Sequence, residues 1–123
     1  MENGKFYDLE ERTFRYAKEV CLFCKGIDKS ISNTEYYKQV IRSSASVGAN
    51  YIEANESLGP KDFLMKVRIS RREVKESIFW LRLIKETNKN VNSQLEQLLD
   101  ESTQLKKILS SIIEKSKASS SKD

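Results

Sequence analysis

Apolar and small residues recur along this chain in steps of three and four, in four separate stretches. In the first, Leu9, Thr13, Tyr16, Ala17, Val20, Cys24 and Ile27 fall on one side of a helix. Asp8 is placed to cap its first amides, with Glu11 completing a box-like start signal. Gly26 and the polar run from Asp28 to Asn33 end it. The second face comprises Tyr37, Val40, Ile41, Ser44, Val47, Gly48, Tyr51 and Ile52, opening near Asn33 or Thr34, with Ser32 and Glu35 as an alternative capping box. Gly59 ends this helix and Pro60 starts the third, which runs to Lys89. There Phe63, Val67, Ser70, Val74, Ile78, Leu81 and Ile84 share a face, widened by Leu64, Phe79, Trp80 and Leu83. A face that wide calls for two partners, or for one partner and a subunit contact. Asn88, Asn90 and Asn92 mark the next turn. From Val91 to Lys117, the residues Val91, Leu95, Leu98, Ser102, Leu105, Leu109 and Ile112 alternate steps of four and three, the seam of a left-handed bundle.

Short links between four such helices make neighbours in sequence antiparallel. The expected fold is therefore all-α, an antiparallel up-down-up-down four-helix bundle over residues 8–115. Residues 1–7 are expected to be a flexible N-terminus and 116–123, rich in Ser and Lys, a disordered tail. The middle of the second helix is unusual for its run of small side chains from Ser43 to Ala49. Gly48 lowers helix propensity by roughly 1 kcal/mol against Ala, which implies that a neighbouring helix comes close enough there to offset it.

Composition agrees with long amphipathic helices. Charged residues make up 33% and hydrophobic ones only 38%, while four Gly and one Pro are too few for the turns of a β-sandwich. No apolar run reaches the length of a membrane span, and no signal peptide is visible at Met1 to Tyr7. With two cysteines and no such signal, a reducing, cytoplasmic setting is expected. Histidine is absent. That removes the commonest general base, the imidazole metal sites and every Ser-His or Cys-His nucleophile. We expect no enzyme, no cofactor and no metal.

The net charge of +4 is unevenly spread. Residues 61–90 hold nine basic and four acidic groups, whereas residues 1–60 hold eight and nine, and 91–123 five of each. The positive excess therefore belongs to the third helix. Its basic residues, above all Lys66, Arg68, Arg71, Arg72 and Lys75, read either as a solvated face or as a phosphate-contacting surface. With no phosphate loop, zinc finger or RNA-recognition signature beside them, such a surface would read backbone and shape rather than sequence.

Three further groups invite chemical readings. Cys21 and Cys24 form a C-x-x-C pair, but mid-helix, with no strand before it, so core packing is the expected role. Glu53 with Glu56, and Glu73 with Glu76, are spaced like half of a carboxylate di-metal site. Without a Glu-x-x-His they read better as helix-surface ion pairs. Arg42, Ser46, Asn50 and Glu53 line up along the second helix near its small-residue face, where a polar network would hold the helices in alignment.

These last residues carry a resemblance. The stretch Arg42-Ser-Ser-Ala-Ser46-Val-Gly-Ala-Asn50-Tyr-Ile-Glu53-Ala is similar to the R-x-x-x-S-(I/V)-x-x-N-(I/V)-x-E-(G/A) pattern of the "four helix bundle protein" family, encoded by intervening sequences in bacterial 23S ribosomal RNA genes. A second stretch agrees: Lys66-Val-Arg-Ile69-Ser-Arg-Arg-Glu73-Val-Lys-Glu76, followed by Trp80-Leu81. The resemblance spans about residues 9–113. It implies the same bundle, and a ring-shaped homopentamer as in the related accessory variability determinants of diversity-generating retroelements, which work with a reverse transcriptase and its RNA. It also implies that Arg42, Ser46, Asn50, Glu53, Glu73 and Glu76 are structural. The expected function is a non-enzymatic, self-assembling bundle that binds structured nucleic acid, RNA and ribosomal RNA among the candidates, through the third helix. The alternative is an adaptor that recruits a protein partner through Tyr36, Phe79 or Trp80.

Overall fold

A computed structural model describes the backbone of residues 2–91 and 93–121 and the side chains of 8–91 and 93–118. Among the described residues there are four helices: α1 (Glu2–Lys25), α2 (Ile31–Asn55), α3 (Pro60–Thr87) and α4 (Ser93–Ser121). Each packs on its neighbours in sequence, and α4 closes on α1. The backbones of diagonal helices nowhere approach closely, so among the described residues the arrangement is up-down-up-down. The α2–α3 interface is the most extensive and the α1–α4 seam the thinnest.

The periodic positions explain this. Val20, Val40, Val47, Val67, Val74, Leu81, Leu105 and Leu109 are wholly buried, so each helix turns its apolar stripe to a shared axis. Thr13 of α1 lies against Gly48 of α2. A Cβ built at Gly48 would sit 2.8 Å from the Thr13 hydroxyl and 3.2 Å from its Cβ. This is the close approach that the small residues of α2 imply.

Several boundaries differ from the sequence expectation. α1 opens at Glu2 rather than near Asp8, and α4 runs on past Lys117 to Ser121 but starts two residues later than Val91. The cap of α2 is Ser30, whose hydroxyl accepts from the Asn33 amide at 3.1 Å, and neither Ser32, Asn33 nor Thr34 takes that role. Asn33 is instead buried. Its side-chain amide donates to the Asp28 carbonyl at 2.9 Å and exchanges hydrogen bonds of 2.8 and 2.9 Å with Asn88, tying the first link to the end of α3. Asn92, expected in the last turn, lies outside the described residues, as do Met1, Lys122 and Asp123. Two residues expected in the core, Ile41 and Ile52, are 37% and 45% exposed. They sit on the outer flank of α2 beside α1, just beyond the strip that α1 covers.

The core also holds a polar layer to which every helix contributes. Tyr16, Ser43, Ser77 and Ser102 are all essentially buried. The hydroxyls of Ser102 and Ser77 donate to the carbonyls of Leu98 and Glu73 in their own helices, at 2.7 and 2.9 Å. That direction leaves Tyr16 to donate to Ser102 at 2.6 Å and Ser43 to donate to Ser77 at 2.7 Å. Burial pushes the Tyr16 phenol up to about 12, against the opposing pull of hydrogen bonds with Ser102 and Ser77. It therefore stays neutral at physiological pH. Nearby, Ser70 of α3 donates to the Val47 carbonyl of α2 at 2.7 Å, a bond that needs the two backbones close together.

Candidate nucleic-acid interface

The basic residues of α3 do not form one cluster. Lys66 turns toward α2, where it pairs with Glu53 at 3.5 Å. Arg71 turns toward α4 and reaches the Ser110 hydroxyl at 3.4 Å. Arg68, Arg72 and Lys75 point to solvent, and among the described residues none has a salt-bridge partner within 4.0 Å. The five expected residues thus divide into three exposed cations without a salt bridge among the described residues, one paired lysine and one arginine at the edge of α4.

Two residues outside that set extend the free group. Positions 68, 72, 75, 79 and 82 step by four, three, four and three, so Arg68, Arg72, Lys75, Phe79 and Arg82 lie in one exposed stripe down α3. Arg82 is exposed and has no ion pair among the described residues. This spacing is legible in the sequence. The contribution of α4 is not. Arg71 meets Ser110 and Lys85 meets Glu96, at 2.7 Å, so the two helices run antiparallel in an alignment that sets Lys106 opposite Lys75. Only the packed structure shows which residue of α4 lies beside the stripe.

The line of polar residues on α2 faces α3 and resolves into separate contacts. Arg42 binds the Glu76 carboxylate and lies 3.7 Å from that of Glu73. Asn50 donates to the Ser46 carbonyl at 2.8 Å, a bond within its own helix. Glu53 pairs with Lys66. The structure thus brings Arg42, Glu73 and Glu76 together and leaves Ser46 and Asn50 apart from them. Glu73 Oε2 is the buried side-chain atom without a hydrogen bond among the described residues. Burial raises the Glu73 carboxyl above its ordinary value and Glu76 adds to this, while Arg42 and Arg72 pull the other way.

Glu76 also accepts from the Trp80 indole at 3.1 Å. Trp80 packs between Tyr36, 6.0 Å away between ring centres, and Phe79, which meets it edge-on at 5.0 Å. Tyr36 and Trp80 are half-buried, and Phe79 is the exposed member of the trio.

Of the two cysteines, Cys24 serves the core, while Cys21 is only half-buried. Cys24 is buried and its thiol is pushed up to about 12, chiefly by burial, so it carries no reactive thiolate. Among the described residues no group of three or more His, Cys, Asp or Glu is placed to hold a metal, and no helix is long and apolar enough to cross a membrane. A polar groove of about 650 Å³ runs between α1 and α4, bridged by Arg12, whose guanidinium donates twice to Glu101 at 2.7 Å.

Comparison with known proteins places this geometry in context. The family model described as 23S rRNA-intervening sequence protein matches residues 7–111. Among solved structures, the chain is similar to a protein of unknown function of the S23 ribosomal protein family from Bacteroides thetaiotaomicron. The two are 29% identical and superpose with a TM-score of 0.81, over 89% of this chain and 98% of the other. No curated protein matches.

Proposed function

Starting from the fact that this chain belongs to the 23S rRNA-intervening sequence protein family, we propose that it is a non-enzymatic, self-associating bundle that binds structured RNA in the bacterial cytoplasm through α3. One observation carries the reading: Arg68, Arg72, Lys75 and Arg82 form an exposed stripe with no carboxylate within salt-bridge distance among the described residues. On the flanks of the same helix Lys66 and Lys85 are paired, with Glu53 and Glu96. A solvated face would carry mixed charge, whereas unpaired cations in line suit a phosphate backbone. The relative's ribosomal name supports RNA over DNA.

Self-association rests on different residues. Phe14, Ile41 and Ile52 are 63%, 37% and 45% exposed on the outer flank of the α1–α2 pair. Apolar side chains grouped on one flank favour a protein contact. A second copy of this chain is the partner we assign, and a ring of five copies is the state that the family resemblance implies.

The test is anisotropy binding of a structured RNA, with duplex DNA of equal length beside it, across a salt series. We expect log K to fall with log [salt], at roughly 0.7–0.9 per phosphate contact. Changing Arg68, Arg72 and Lys75 together to Glu should abolish binding and leave the helical circular dichroism unchanged. Unchanged affinity in that variant sinks the proposal.

A further inference from the structure

An aromatic ring interrupts the cationic stripe near its C-terminal end. Phe79 falls between Lys75 and Arg82 and is 54% exposed, the aromatic member of a helix face otherwise given to charge. It is not loose. Its neighbour Trp80 meets it edge-on at 5.0 Å, packs on Tyr36 of α2, and is held by a hydrogen bond from its indole to Glu76. Glu76 is in turn bound by Arg42 of α2. The ion pairs between α2 and α3 therefore brace a three-ring cluster whose outermost face is open to solvent.

From this juxtaposition the geometry points to a stacking site: Phe79 receives an unpaired nucleobase of an RNA whose phosphates run along Arg68, Arg72, Lys75 and Arg82. The inference rests on the RNA-binding reading above and narrows its substrate class to unpaired nucleotides in a loop, bulge or single strand. The reasoning is chemical. In a duplex the base faces are covered by their neighbours, and a ring projecting from a helix has nothing to stack on. An unpaired base presents a π-face of any sequence. The four cations extend over about 20 Å of helix, at 1.5 Å per residue, so a stretch of several nucleotides can pass over the ring while its phosphates stay in contact. Charge complementarity distinguishes this occupant from a protein helix, which would have to cover four unpaired cations to reach one phenylalanine.

The experiment compares a single-stranded RNA of about twelve nucleotides with a blunt duplex of the same sequence, on the full chain, by anisotropy and by intrinsic fluorescence. Trp80 is the only tryptophan, so its emission reports directly on the cluster. We expect the single strand to bind more tightly than the duplex and to quench Trp80. Phe79→Leu, which keeps apolar area but removes the π-face, should weaken single-strand binding by about fivefold or more. Phe79→Tyr should retain affinity, and neither should change the salt slope, because no phosphate contact is lost. Equal binding of strand and duplex, unaffected by Phe79→Leu, overturns the stacking site and leaves the cationic stripe standing. No binding of either RNA at low salt removes both proposals. If Phe79→Leu changes the mass of the assembly but not its affinity for RNA, the ring is a subunit contact and the stacking site is overturned.

Discussion

Glu73 shows how a single side chain can be held against its own preference. It is mostly buried, next to Glu76, with the Arg42 guanidinium at 3.7 Å and so too far for a hydrogen bond. Its carboxyl is raised above the ordinary value of 4.5, because burial and Glu76 outweigh Arg42 and Arg72. The folded state therefore binds this proton more tightly than the unfolded chain does. The stabilisation associated with it is fully present below the unfolded value and is lost as pH rises through the folded one. At neutral pH the ionised form is a net burden. Glu73→Gln should then raise stability near pH 7 by up to about 1 kcal/mol, and the gain should vanish near pH 4, where the wild-type residue is itself neutral. Thermal melts across that range check this. A loss of stability at pH 7 would mean that the Arg42 pair outweighs the burial.

Between elements, the tightest constraint is the approach of α1 to α2 at Gly48. Alanine there is favoured by helix propensity by up to about 1 kcal/mol, but its Cβ would meet a threonine that cannot move aside. The Thr13 hydroxyl is bonded to the Glu10 carbonyl at 2.9 Å, and its branched Cβ limits rotation. The clash should win, so Gly48→Ala should destabilise by about 1–3 kcal/mol. Adding Thr13→Ala should recover part of the loss in a double-mutant cycle followed by urea unfolding. Helix existence, order and the special role of Gly48 were all legible in the spacing. The polar layer was only half legible. Ser102 lies in the predicted seam and Ser43 in the run of small residues, but Ser77 looks like an ordinary surface serine until α2 supplies its partner. The cap of α2 was missed for a related reason. Ser30, Ser32, Asn33 and Thr34 are all competent caps, and what decides among them is that Asn33 is already bonded to Asn88, a residue 55 positions away.

For the whole molecule, the proposed function asks how surface would be divided between RNA and other copies of the chain. The cations lie on α3, and the exposed Phe14, Ile41 and Ile52 lie on the α1–α2 flank. If the second surface joins subunits, Phe14→Glu should lower the mass measured by light scattering and leave the helical content intact. A wild-type chain that is monomeric at all concentrations would remove the assembly reading. The candidate interface was legible in the sequence as a charge excess and as a 4-3-4-3 spacing. Which lysine is neutralised, and which residue of α4 stands beside the stripe, are properties of packing between helices that spacing along one helix does not encode.

The thin α1–α4 seam has a consequence of its own. α1 makes the least contact of the four helices, and its polar ties to α4 are the Arg12 bonds to Glu101 and Gln104 and the Tyr16–Ser102 pair. A segment so placed, joined to the rest by the short link at residues 26–30, is the part of the chain that two molecules can trade. Each would recover the same buried surface from the other's first helix, so the exchanged pair differs from two separate bundles mainly in the path of one hinge. At high concentration, or after partial unfolding and refolding, intertwined dimers are the by-product this architecture invites.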